Sequence, residues 1–257
     1  IGDAPKDEFN NSLNNAIKCF PGNSTLALKT VNNWRTEISS LFGLFYEDEN
    51  HYNHAMLRAK ELAEHNDLVE FFKLFLYYFQ YPGAHIKSRD VLEQIEAGIH
   101  FKPTQYILKL LKTAEENTGK RCGITKEEAC YCIFNDLRCT RDNEDVVITW
   151  QRIQRNRDLE IEYVADGDVT RYAGDILDYM QHANLLVSYN NKEFFINHSE
   201  NEAILKYINS TEWFSEYDTM IANRSGTIQD VNDCRCDWFR YVNREAGETD
   251  FATDITS

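Results

Sequence analysis

Three arginines, Arg152, Arg155 and Arg157, fall within six residues of the stretch "TWQRIQRNRDLE", Thr149 to Glu160. Guanidinium groups at that density suit planar, bidentate donation to phosphate oxygens or to the major-groove edge of guanine. On a helix, Arg152 and Arg155 are i,i+3 neighbours on a face away from Val146, Trp150 and Ile153. Arg157 falls nearer the Trp150 and Ile153 side. A second chemistry is open to the same residues: Arg155 and Arg157 can pair within the chain with Asp158, Glu160 or Glu162. The residues alone leave both readings standing.

The surroundings sharpen the question. The chain has 257 residues and a formal net charge of −15, a balance that repels polyanions. It predicts weak non-specific binding with strong salt sensitivity. The charge is uneven. Residues 101–160 carry 11 Lys and Arg against 10 Asp and Glu, whereas residues 201–257 carry 5 against 11. The only block that is not acidic ends on the three arginines.

Other chemistries find no pattern to support them. The chain has no G-x-x-x-x-G-K-[ST] loop, no G-x-G-x-x-G after a strand, no H-E-x-x-H and no G-x-S-x-G. A Mg²⁺-dependent nuclease centre favours an Asp upstream of Glu-x-Lys, and no Glu-x-Lys occurs. Asp166, Asp168 and Asp175 lie close together, but a helix cap accounts for Asp168 without metal. His51, His54 and His65, near Glu49 and Glu64, read as surface residues around a hairpin. Seven cysteines at irregular spacing include the CxC pairs Cys130/Cys132 and Cys234/Cys236. That is a poor zinc pattern, and it predicts free thiols of an intracellular, cytoplasmic protein. The segment reads as non-catalytic, with no cofactor of its own. No apolar run approaches membrane-span length. The chain opens on Ile rather than Met, as a processed chain or a fragment would.

The elements that must position the arginines follow from periodicity. Phe9, Leu13, Ile17 and Phe20 mark a first helix. After the turn "PGNST", Thr25 or Ser24 is expected to cap a second. "GLFYEDENHYNH" reads as a small hairpin turning at Glu47–Asn50. Residues 67–81, "DLVEFFKLFLYYFQY", read as the core helix, capped by Asp67 and stopped by Pro82-Gly83. Its aromatics Phe71, Phe72, Phe75, Tyr78 and Phe79 are packing residues. Pro103 opens a helix whose Tyr106, Ile107, Leu110 and Leu111 share a face. Gly119 and Gly123 bracket a turn. Thr125 caps a short helix, with Glu128 completing a capping box. "NEDVVITWQRIQRNRD" is a further helix. "DVTRYAGDILDYMQHANLL", capped by Asp168 or Thr170, runs into a hairpin turning at Asn190-Asn191. "NEAILKYINSTEWF" is a last helix before a polar, acidic tail. Helices followed by a two-stranded wing, twice, outline two winged-helix (helix-turn-helix) subdomains, with the helix before the wing as the recognition helix.

The order of these segments is more specific than any one of them. "GLFYEDE", "LRAKELAEHND", "EFFKLFLYYFQYP", "KPTQYILKLLK", "GITKEEA", "ITWQRIQRNRDLE", "TRYAGDILDYMQHANLLV" and "NKEFFIN" follow one another between roughly Gly43 and Phe214. In that order they resemble the N-terminal recognition region of AlwI-type type IIS restriction endonucleases and their strand-nicking relatives. The resemblance implies two winged-helix subdomains clamping asymmetric double-stranded DNA, with cleavage by a separate, Mg-dependent nuclease domain or subunit. By position it implies a DNA face of Thr125, Lys126, Arg152, Arg155, Arg157, Thr170, Arg171 and Tyr172. One departure stands out: the recognition helix carries Asp168, Asp175 and Asp178 against the single Arg171.

The sequence therefore predicts a mainly α fold with short β-hairpin wings. Residues 1–100 and 101–200 form the two winged-helix subdomains, and 201–257 a helical segment with an acidic linker or tail. A monomer that reads duplex DNA is the leading expectation. The rival is a winged-helix protein-interaction module, or a subunit of a restriction or defence complex.

Overall fold

The computed structural model describes residues 2–164, 167–190 and 192–244, without the side chains of residues 167–169. Asp166, the side chain of Asp168, Asn191 and the tail from 245 lie outside that description. In chain order the elements are β1 (Ala4–Pro5), α1 (Lys6–Cys19), α2 (Leu28–Leu41), β2 (Phe45–Glu47), β3 (Tyr52–Ala55), α3 (Leu57–His65), α4 (Leu68–Tyr78), α5 (Ser88–Glu96) and α6 (Pro103–Thr118). There follow β4 (Gly123–Thr125), α7 (Lys126–Ala129), a π-helical turn (Cys130–Phe134), α8 (Leu137–Thr140), α9 (Val146–Asp158) and α10 (Gly167–His182). The chain then forms β5 (Leu186–Val187), β6 (Glu193–Ile196), α11 (Asn201–Ile208), α12 (Asp218–Asn223), α13 (Ile228–Asp233) and α14 (Arg235–Val242). The fold is mainly helical with small antiparallel sheets. Among the described residues, no helix is long and apolar enough to cross a membrane.

Two compact units emerge, and neither is a contiguous block like the expected 1–100, 101–200 and 201–257. One contains residues up to 67, 83–93 and the described residues from 226. The other contains residues 68–82 and 94–225.

In the first unit, β3 lies between β1 and β2. The hairpin register pairs Phe45 with Ala55 and Glu47 with Asn53. Its turn closes because the Asp48 carboxylate accepts from the amides of Asn50 and Tyr52, both at 2.9 Å. This is the acidic turn read from the sequence. The α2 cap differs from expectation: Ala27 holds that position. Ser24 and Thr25 sit in a turn closed by Leu26 N–H on Asn23 O, too early for their hydroxyls to reach the first free amides of the helix. The unit is completed from far along the chain. Asn243 donates to Gly43 O at 2.9 Å and accepts from Arg58 N at 3.0 Å. A Cβ at Gly83 would lie 2.6 Å from the buried Trp238 ring. The stretch read as linker is thus core.

In the second unit, α4 buries Phe71, Leu74, Phe75, Leu76 and Tyr78, as the packing reading requires. Phe72 is half-buried and stacks on Tyr179 at 5.3 Å. The expected helix over 201–214 ends at Ile208. Beyond it, side chains take the backbone groups that a longer helix would use. Gln105 donates to the carbonyls of Ile208 and Ser210, and Gln80 bonds both backbone groups of Phe214. The turn expected between Gly119 and Gly123 opens into strand β4, and the sheet order is β4-β6-β5. Gly123 faces Phe195 in that register, and a Cβ on Gly123 would lie 2.5 Å from the Phe195 ring. Only glycine lets the ring lie across the strand.

Candidate nucleic-acid interface

The capping box read from the sequence is present. The Thr125 hydroxyl accepts from Glu128 N at 3.1 Å, and Glu128 Oε2 accepts from Thr125 N at 2.9 Å. The same buried carboxylate binds Arg157, which reaches it from the last turn of α9. Nε donates to Oε1 at 2.6 Å and Nη2 to Oε2 at 2.7 Å, while Nη2 also donates to Gly123 O at 2.9 Å. The guanidinium lies 5.5 Å over the Trp150 ring, on the side the helical wheel assigned it. Glu193 lies 3.6 Å away. Hydrogen bonding to Glu128 first, then the fields of Glu128 and Glu193, raise the Arg157 pKa against burial. Arg157 therefore fastens β4, α7 and α9 together, and its partners are not the neighbours Asp158, Glu160 or Glu162.

Arg152 turns inward as well, so it does not share an exposed face with Arg155. Its Nη1 donates to Glu144 at 2.5 Å, and its Nη2 lies 3.2 Å from Asp136 and donates to Cys132 O at 3.1 Å. Thr149 and Tyr106 extend this network: Thr149 donates to Glu144 at 2.7 Å, and the two hydroxyls lie 2.7 Å apart. Burial opposes the charge on Arg152, but Glu144 and Asp136 outweigh it and raise its pKa. Arg155 is different. It is exposed and makes no side-chain hydrogen bond or ion pair among the described residues.

On α10 the contrast repeats. The helix begins at Gly167, which puts Thr170 inside its first turn rather than at the cap. The Thr170 hydroxyl is shielded from solvent without a hydrogen-bond partner among the described residues. Arg171 is exposed and lies 5.0 Å over the ring of Tyr172, which is 57% exposed. Lys126 runs along α10 past Gly174 to Asp178, donating at 2.7 Å. Burial raises the Asp175 pKa, while Arg171 and Lys126 pull the other way. The acids on this helix are thus partly answered from α7 and from the helix itself.

The eight expected residues all belong to the second unit but divide by environment. Thr125, Lys126, Arg152 and Arg157 are engaged in internal contacts, Thr170 is half-buried with its hydroxyl unbonded among the described residues, and Arg155, Arg171 and Tyr172 face outward. A phosphate or base edge can approach the outward-facing group from solvent. The sequence reading passed over Arg121, whose guanidinium lies over Tyr189 at 5.0 Å and over Phe195 at 5.4 Å. The signal available was the dibasic Lys120-Arg121 facing an aromatic hairpin. Among the described residues, no group of three or more His, Cys, Asp or Glu is arranged to hold a metal ion, and the seven cysteines are free thiols.

With this geometry in view, comparison with solved structures finds a nucleic-acid binder. The fold is similar to the BpuJ1 endonuclease binding domain, solved in complex with pyrene- and phenanthrene-modified DNA. The TM-score is 0.76 at 26% identity, over 93% of this chain and 86% of that one. The family model for the N-terminal part of the restriction endonuclease BpuJI matches residues 1–239. The chain belongs to that family. The ordered motifs pointed to restriction-enzyme recognition regions, and the family shown is that of BpuJI. No curated protein matches the chain.

Proposed function

We propose that this chain is the double-stranded-DNA recognition module of a type IIS-like restriction or nicking endonuclease. The observation that carries the reading is its likeness, over nearly its whole length, to a binding domain solved on DNA. Cleavage and its Mg²⁺ belong to a nuclease domain or subunit outside the described residues, and kinship with AlwI-type enzymes is part of the same proposal. The module works as a cytoplasmic monomer. In the second unit the order of helices and the sheet β4-β6-β5 support a winged-helix unit with α10 as recognition helix. In the first, α1, α2 and the β2–β3 hairpin support a second such unit.

Within this reading Arg171 and Tyr172, at the start of α10, contact base edges, and Arg155 contacts phosphate. Thr125, Lys126, Arg152 and Arg157 act behind them by holding α7, α9 and α10 in place. A second reading, a protein-interaction module, is favoured by one observation: Leu159, Ile161 and Val164, after α9, are 60%, 48% and 77% exposed.

The test is fluorescence anisotropy with a pool of random duplexes from about 50 to 200 mM salt, followed by sequencing of the bound fraction. Enrichment of one asymmetric sequence, lost in Arg171→Ala, is expected. Absence of binding at the lowest salt overturns the DNA reading and leaves the protein-interaction module.

A further inference from the structure

The outer face of the β4-β6-β5 sheet carries charge that the α9 and α10 contacts do not use. Arg121, just before β4, is fixed by two bonds to neutral oxygens: Nη1 donates to Tyr189 OH at 2.7 Å and Nη2 to Ile196 O at 3.0 Å. Neither partner neutralises it. Its guanidinium packs over Tyr189 and Phe195, and Phe195 lies flat because Gly123 has no Cβ. Tyr189 is 73% exposed. Five N–H donors on the guanidinium, two of them engaged, leave three for a ligand.

A groove of about 430 Å³ adjoins Arg121, lined among others by Lys112, Lys120, Glu115, Glu116 and His198. Its acids already have partners within the chain. Glu115 lies 3.1 Å from His198 and accepts from Cys122 N, while Glu116 lies 3.1 Å from Lys112. Lys120 is exposed and its ammonium has no partner among the described residues. In a chain of net charge −15, this face keeps two unneutralised cations, one pre-set in orientation by stacking and hydrogen bonds. Pre-setting lowers the ordering cost of binding.

We infer that Lys120 and Arg121 form a second duplex contact, to the sugar-phosphate backbone beyond the bases read from α10, adding affinity without sequence choice. The inference rests on the DNA-recognition reading above. The test measures affinity of the full chain for the selected duplex and for a scrambled one across salt, comparing wild type, Lys120→Ala and the double variant Lys120→Ala/Arg121→Ala. Each lost phosphate contact lowers the slope of log K against log[salt] by about 0.9, or about 8-fold in affinity at 0.1 M. The expected losses are therefore about 8-fold for the single variant and about 60-fold for the double variant, equal on both duplexes.

An unchanged slope in the double variant, with wild type binding normally, overturns this contact and leaves the DNA reading intact. A loss confined to the selected duplex overturns the backbone assignment. If the double variant is misfolded by circular dichroism, Lys120→Ala decides alone, since its ammonium bonds nothing within the described fold. A wild type that binds no duplex removes both proposals.

Discussion

Replacing Arg157 with Ala separates an arginine that holds the fold from one that is available to a ligand. Glu128 has a side chain only 6% exposed, and three of its hydrogen bonds come from Arg157 Nε, Arg157 Nη2 and Thr125 N. Removing Arg157 leaves a buried carboxylate with the Thr125 amide, uncovers the Trp150 face and deprives Gly123 O of a donor. Stranding one member of a buried pair costs about 3–5 kcal/mol. Arg157 is 33% exposed, so water re-entering the site reduces this to about 2–3 kcal/mol. In a chain of this size that shift lowers Tm by roughly 4–12 °C. Urea unfolding followed by far-UV circular dichroism measures it. Arg155→Ala is the control, expected to stay within about 0.5 kcal/mol of wild type. Glu128→Gln added to Arg157→Ala removes the stranded charge and is expected to recover most of the loss. The reasoning fails if Arg157→Ala is as stable as wild type, or if Arg155→Ala loses as much.

Two further outcomes follow from buried groups. Lys102 donates to the carbonyls of Tyr77 at 2.6 Å and Glu212 at 2.8 Å, and burial lowers its pKa to about 8 from 10.5. Below pH 8 it is protonated folded and unfolded alike, whereas between about 8 and 10.5 the unfolded chain binds more protons. Stability therefore gains a rising contribution through that window, on the order of 3 kcal/mol in total. Denaturation at pH 7.5 and 10 is expected to show this rise in wild type and not in Lys102→Met; parallel pH profiles would refute it. Gly123→Ala puts a methyl 2.5 Å from the Phe195 ring and is expected to destabilise by about 1–3 kcal/mol. Phe195→Leu in the same chain should recover part of that loss. A Gly123→Ala melt unchanged from wild type would show that the ring has room to move.

What the sequence determined by itself was local. Pro103 and the spacing of Tyr106, Ile107, Leu110 and Leu111 mark α6. Thr125 and Glu128 announce their capping box, and the aromatics of α4 declare a core helix. In each case the partners lie within one or two turns, so the chemistry is written in adjacent letters. The order of segments likewise carried the likeness to restriction-enzyme recognition regions. Tertiary structure alone decided which arginines remain available. Arg157 meets Glu128 from 29 residues away and Arg152 meets Glu144 from eight, while Arg155, on the same helix, meets no partner among the described residues. An ion pair depends on distances in space, and helical spacing sets only the direction in which a side chain leaves its own helix. The same limit hid β4, whose three residues lack a strand pattern until β6 pairs with them some 70 residues later. It also hid the role of residues 226–244. Asn243 reads as an ordinary polar residue until it is found bonded to Gly43, 200 positions upstream. Burial and charge neutralisation there are properties of the folded neighbourhood.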